Sequence, residues 1–174
     1  MIRVPDALTH VLIAYALATA LSLRYEWITP RLTTVAMAGA MIPDLAKLGR
    51  VISPETVEAV LGVPFSWQPI HTVGGGTLAI LVASLVVRPA YRRPVALSLT
   101  LGIGSHFVLD MFLIPPAGTF PYLWPLTDAE IALPGLYKSG DGWIVPIGIA
   151  VALGVQSVVR RRSLEAESAV RTDG

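Results

Sequence analysis

Residues 95–114 read VALSLTLGIGSHFVLDMFLI, twenty positions with two ionisable side chains, His106 and Asp110. A helix of roughly 20 apolar residues is what crosses about 30 Å of hydrocarbon. His106 and Asp110 stand four apart, so both project from one helical face. Imidazole and carboxylate at that spacing form a two-ligand tooth for zinc, manganese or iron(II). The same pair would also serve as a proton relay, because ionisable groups at membrane depth mark functional sites by default.

Four further apolar stretches occupy residues 7–23, 31–52, 72–87 and 143–159. In the whole 174-residue chain, 53% of residues are hydrophobic and 14% charged. That leaves too little charge to coat a soluble domain, for which about 25% is ordinary. The expected fold is all-α, a polytopic membrane bundle of about five transmembrane helices. Residues 1–162 form its single embedded domain and 163–174 a short polar tail. The weakest span is the second, where Pro43, Asp44, Lys47 and Arg50 interrupt the apolar run and a re-entrant segment is the alternative. Ala16-Leu17-Ala18 also fits a signal-peptide cleavage site, although cleavage would discard His10.

Orientation follows from the basic residues. With five spans, Arg24, Arg31, Arg88, Arg92, Arg93, Arg160, Arg161, Arg162 and Arg171 share one side. Arg3, Lys47, Arg50 and Lys138 occupy the other. The C-terminus is therefore expected in the cytoplasm. Net charge is +1, so no basic footprint for nucleic acid is expected. Without cysteine, any metal must be held by histidine, carboxylate or other oxygen ligands.

All three histidines, His10, His71 and His106, lie in or beside apolar spans, and Asp44 and Asp110 join them. The topology, derived from Lys and Arg alone, places all five at one depth on the outer side. These five are the candidate metal ligands. Asp44, His71, His106 and Asp110 would complete one site. His10 would hold a second, weaker ion or bond the metal's water, and Asp110 is the candidate base. Two other features accompany them. Gly74-Gly75-Gly76 follows His71, and the connection 115–142 carries Phe120, Tyr122, Trp124 and Tyr137 as lid or interfacial belt.

Read in order, the motifs are Thr9-His10, Pro43-Asp44-Leu45-Ala46, residues 66–72 as Ser-Trp-Gln-Pro-Ile-His-Thr, Ser105-His106 to Asp110, and Trp124-Pro125. In this order the chain resembles the membrane-bound metal-dependent hydrolases of the LexA-regulated inner-membrane type. The order is also similar to that of zinc-dependent phospholipase C. The family's motifs are Thr-His, Pro-Asp-x-Asp, His-Arg-x-x-Thr-His-Ser, Ser-His-x-x-x-Asp and Trp-Pro. Here Ala46 replaces the second aspartate, Ser66 the first histidine and Trp67 the arginine. The resemblance implies a divalent ion, zinc or manganese, and hydrolysis of a lipid-like phosphoester at the outer membrane face. The departures suit a vestigial site in a structural or regulatory membrane protein. Ion or proton transport through the same residues is the third reading.

Overall fold

The computed structural model describes residues 5–114, 121–131 and 134–172. Arg3 and Phe120, both singled out above, lie outside the described residues. Six α-helices account for the architecture. They are α1 (Pro5–Ser22), α2 (Pro30–Met41), α3 (Pro54–Leu61), α4 (Val73–Val86), α5 (Pro89–Asp110) and α6 (Ile144–Thr172). Short 3₁₀ segments, Pro43–Arg50 and Gln68–His71, precede α3 and α4. α5 packs against α2, α4 and α1, and α1 packs against α2 and α6, so α1 and α5 form the centre. An isolated bridge joins Leu113 to Tyr137.

Local chemistry sets the boundaries. Pro30 and Pro54 open α2 and α3 at positions where a missing N–H costs nothing. Thr29 and Ser53 cap the same helices by accepting from Leu32 N and Thr56 N. Gly62, with φ of 70°, ends α3 in the left-handed conformation that glycine adopts freely.

The burial pattern is that of a membrane protein. Ala14, Ala16, Ala18, Ala36 and Ala40 are buried, together with Thr9, Thr33, Ser98 and Ser105. Leu78, Leu81, Leu85, Val151 and Leu153 are exposed. Small residues let helix backbones approach where lipid gives no hydrophobic drive for association. Gly102 shows how close: a Cβ there would collide with the Ala36 carbonyl oxygen, and one at Gly39 would lie 2.9 Å from the Leu99 oxygen. α2 and α5 therefore touch backbone to backbone.

The lengths depart from five even spans. Among the described residues, Ile144–Glu165 is the one helical stretch long and apolar enough to cross by itself. Ala7–Ser22 and Val73–Val86 are shorter apolar helices. The second span, expected over residues 31–52, stops at Met41. Pro43 cannot donate to the helix, and the chain turns into the 3₁₀ segment that carries Asp44. α2 is then only about 18 Å long. α5 has 22 residues, about 33 Å, but its first turns hold Arg92, Arg93 and Pro94. α6 continues to Thr172, so the polar tail is helical that far.

Candidate metal centre

Each candidate ligand is delivered by a different piece of chain, except the pair on α5. His10 stands in the second turn of α1, and Asp44 follows Pro43 in the first 3₁₀ segment. His71 ends the second 3₁₀ segment, just before Thr72 caps α4 through the Gly75 N–H. His106 and Asp110 share the last turns of α5. The structure brings all five together.

Asp110 is the hub. Its Oδ1 lies 3.0 Å from His10 Nε2. Its Oδ2 lies 2.8 Å from His71 Nε2 and 3.2 Å from His106 Nε2. His71 Nε2 and His106 Nε2 are themselves 3.2 Å apart. The His10 and His106 rings stack with centroids 4.0 Å apart. His10 and His106 are fully buried, and Asp110 and His71 are 4% and 5% exposed. Asp44 sits at the rim, its Oδ1 3.7 Å from His106 Nε2 and 2.6 Å from Lys47 Nζ. His10 is thus nearer the hub than expected and Asp44 further out, because Lys47 engages its carboxylate.

These spacings fit a shared cation. Donors held 2.0–2.1 Å from a tetrahedral ion stand about 3.3 Å from one another. The contacts of 2.8–3.7 Å bracket that edge. The ligand atoms of His10, His106 and Asp110 lie within 4.8 Å of one another, as do those of Asp44, His71 and His106. Asp110 Oδ1, although buried and 3.0 Å from His10, has no aligned hydrogen bond. Donors that converge on an ion approach in this way.

His106 adds a stronger argument. Its Nδ1 lies 2.7 Å from the Ala40 carbonyl oxygen, which can only accept, so Nδ1 carries the proton. In the neutral ring Nε2 then presents a lone pair to the carboxylates of Asp110 and Asp44. A metal ion, or a proton such as that on His71 Nε2, 3.2 Å from His106 Nε2 and 2.8 Å from Asp110, would relieve this juxtaposition. Metal-bound histidines characteristically donate their other N–H to a carbonyl, which fixes tautomer and ring. The Gly39–Gly102 approach of α2 and α5 places Ala40 for this role.

The connection after α5 closes the site. Val73 N donates to the Tyr122 oxygen at 2.7 Å and Gly74 N to the Trp124 oxygen at 2.9 Å. A Cβ at Gly74 would stand 2.6 Å from Pro125 Cδ, so glycine permits this seat. Tyr122 is 1% exposed, its ring 6.0 Å from His71 and 5.7 Å from Phe107. Burial, and secondarily the Asp110 charge, raises its phenol pKa well above the ordinary range, so the hydroxyl stays neutral. The Lys47–Asp44 pair and the Ala40 carbonyl escaped the sequence reading, whereas Tyr122 takes the first of the two places offered for the connection's aromatics, against the site. Of the two that escaped, Lys47, three residues after Asp44, left a signal there.

Two positions where the chain departs from the hydrolase motifs have local structural work. Trp67 Nε1 donates to the Ile52 oxygen at 2.9 Å, and a Cβ at Gly49 would lie 2.9 Å from the Trp67 ring. Ser66 Oγ accepts from Gln68 N at 3.2 Å.

Helices with small-residue seams, apolar outer faces and a buried histidine–aspartate cluster define an all-helical membrane protein with a candidate metal centre. The family described as YdjM inner membrane protein matches residues 6–170, and the chain belongs to that family. Its location is therefore the cell membrane. No curated protein and no solved structure matches the chain.

Proposed function

We propose that this chain is a multi-pass membrane metallohydrolase acting on a lipid-like phosphoester. The observation that carries the reading is the convergence of three histidine Nε2 atoms on the Asp110 carboxylate, at 2.8–3.2 Å, inside an apolar bundle. His10, His71, His106 and Asp110 would hold the ion, with Asp44 as an outlying fifth donor. Three imidazoles and a carboxylate suit zinc, and manganese is the alternative. When bound, such an ion supplies Lewis-acid activation of water and of a phosphoryl oxygen.

The chain's own groups would do the rest. The Ala40 carbonyl holds His106 in the tautomer whose Nε2 faces the site. Asp110 Oδ1, which faces away from His71 and His106, is placed to accept a proton from water. Lys47, 39% exposed at the rim, is positioned to take the charge of a phosphate. Tyr122 and the Trp124–Pro125 segment keep bulk water from the far side. Around the mouth, Leu45, Leu48, Val51 and Ile52 are exposed apolar residues, suited to the headgroup boundary of a bilayer. A substrate embedded in the leaflet would reach the site without leaving lipid. The arginine distribution, counted with five spans, supports a site on the outer face.

The test is hydrolysis of a chromogenic phosphodiester and of a short-chain phospholipid by the purified protein, with and without chelator. The reading expects turnover that chelation and His71→Ala each abolish. Turnover that survives both overturns it. The Trp67 and Ser66 contacts favour a second reading, a metal-stabilised membrane protein without catalysis. One bound ion per chain with no turnover on either substrate selects that reading.

A further inference from the structure

The opposite end of the bundle carries a separate feature. The start of α2, the end of α4 and the start of α5 enclose a cavity of about 860 Å³. Val35, Val86 and Val95 give it apolar walls, and Arg31, Arg88 and Tyr91 stand among its other lining residues. A smaller hollow of about 320 Å³, lined by Trp27, Arg93, Pro94 and Leu97, shares Trp27 and Pro94 with it. α5 runs from this end to Asp110, and from Val95 in the cavity wall to His106 is 11 residues, about 16 Å along the helix, so the two sites are separate.

We infer that this groove is a binding site for one anionic phospholipid, with the headgroup phosphate on Arg31 and Arg88 and an acyl chain along the valines. Three observations support it independently of any metal chemistry. The groove joins apolar walls to guanidinium groups, as a phospholipid joins chain to phosphate. Arg31, Arg88 and Arg93 have no acidic partner at ion-pair distance among the described residues. Trp27 and Tyr91, 40% and 56% exposed, stand at the mouth, where amphipathic rings favour the membrane interface. The same arginines belong to the side expected in the cytoplasm, where anionic headgroups attract basic residues.

The experiment uses the full chain in a neutral detergent, with native mass spectrometry of retained lipid. Phosphatidylglycerol and phosphatidylcholine of identical chains are compared. Each arginine near anionic lipid is worth about fivefold, so the pair predicts a preference for phosphatidylglycerol of about 25-fold. Arg31→Gln with Arg88→Gln should bring the two lipids to near parity. Arg31→Lys with Arg88→Lys should keep most of the preference, and Arg160→Gln with Arg161→Gln should leave it unchanged. Equal retention by the wild-type chain overturns the proposal whether or not the double variant folds. So does a preference that survives loss of both guanidinium groups. Displacement by millimolar inorganic phosphate would indicate a free-anion site, and lipid-free dimers would indicate a second copy in the groove; either result also overturns it.

Discussion

Replacing His106 by alanine separates a metal centre from a network of shared protons. In the wild-type chain the ring is fully buried, with Nε2 3.2 Å from Asp110 and Nδ1 2.7 Å from the Ala40 oxygen. If an ion is held, the substitution removes one donor and leaves the Ala40 carbonyl that oriented it without that partner. Outer-shell partners alone are worth 10–100-fold in metal affinity, so loss of the donor itself should exceed about 100-fold. In a proton network the loss is instead one charged hydrogen bond, about 1.5–3 kcal/mol, plus a cavity.

The two cases part most clearly in the wild-type chain. Zinc at a thousandfold excess over its Kd would stabilise the fold by about 4 kcal/mol. For a chain of this size that is a Tm rise of roughly 8–16 °C. The assay is thermal unfolding of the detergent-solubilised protein, with metal content by mass spectrometry, before and after chelation. The expectation is about one zinc or manganese per chain. Chelation should lower the wild-type Tm by the amount above, and His106→Ala should show neither metal nor response. A wild-type chain that contains no metal, and whose Tm ignores both chelator and added zinc, refutes the metal argument. The cluster would then be held by protons.

Other outcomes test the rest of the structure. Gly102→Leu should cost about 1–3 kcal/mol, because its Cβ collides with the Ala36 oxygen and lies 2.7 Å from Ala40 N. Gly104→Ala, which meets nothing within 4 Å, should gain about 0.5–1 kcal/mol in chemical denaturation; equal effects would contradict the α2–α5 contact. Metal affinity should fall as pH drops below about 6, because protons compete for the histidine lone pairs and ordinary histidine titrates near 6.5. Zinc titrations from pH 8 to 5 that show constant affinity would exclude histidine ligation. Arg92→Cys and Trp124→Cys, made singly in this cysteine-free chain, should react with a membrane-impermeant thiol reagent from opposite sides. Reaction from the same side would overturn the proposed outward orientation of the site.

The candidate ligands were legible in the sequence because an apolar chain makes every ionisable residue conspicuous. His106 and Asp110 interrupt twenty otherwise unionisable positions, and the cost of burying them singles them out. The Lys and Arg count led to the expectation of one depth for five residues, and the structure brings the same five near one another. What the sequence hid is backbone. The Ala40 carbonyl has no signature of its own. It reaches His106 because Gly39 and Gly102 lack side chains, and glycines in apolar helices announce close packing without naming the partner. The end of α2 was legible in part, since Pro43, Asp44, Lys47 and Arg50 interrupt the second apolar run. Hydrophobicity nonetheless continues past Pro43 through Leu45, Leu48, Val51 and Ile52, so composition alone does not fix where the helix stops. Backbone chemistry ends the helix at Met41, and that break swings Asp44 and Lys47 to the rim of the histidine cluster. An uninterrupted α2 would carry Asp44 onward along the helix axis. The proline that shortens the span is therefore also what brings Asp44 and Lys47 to the histidine cluster.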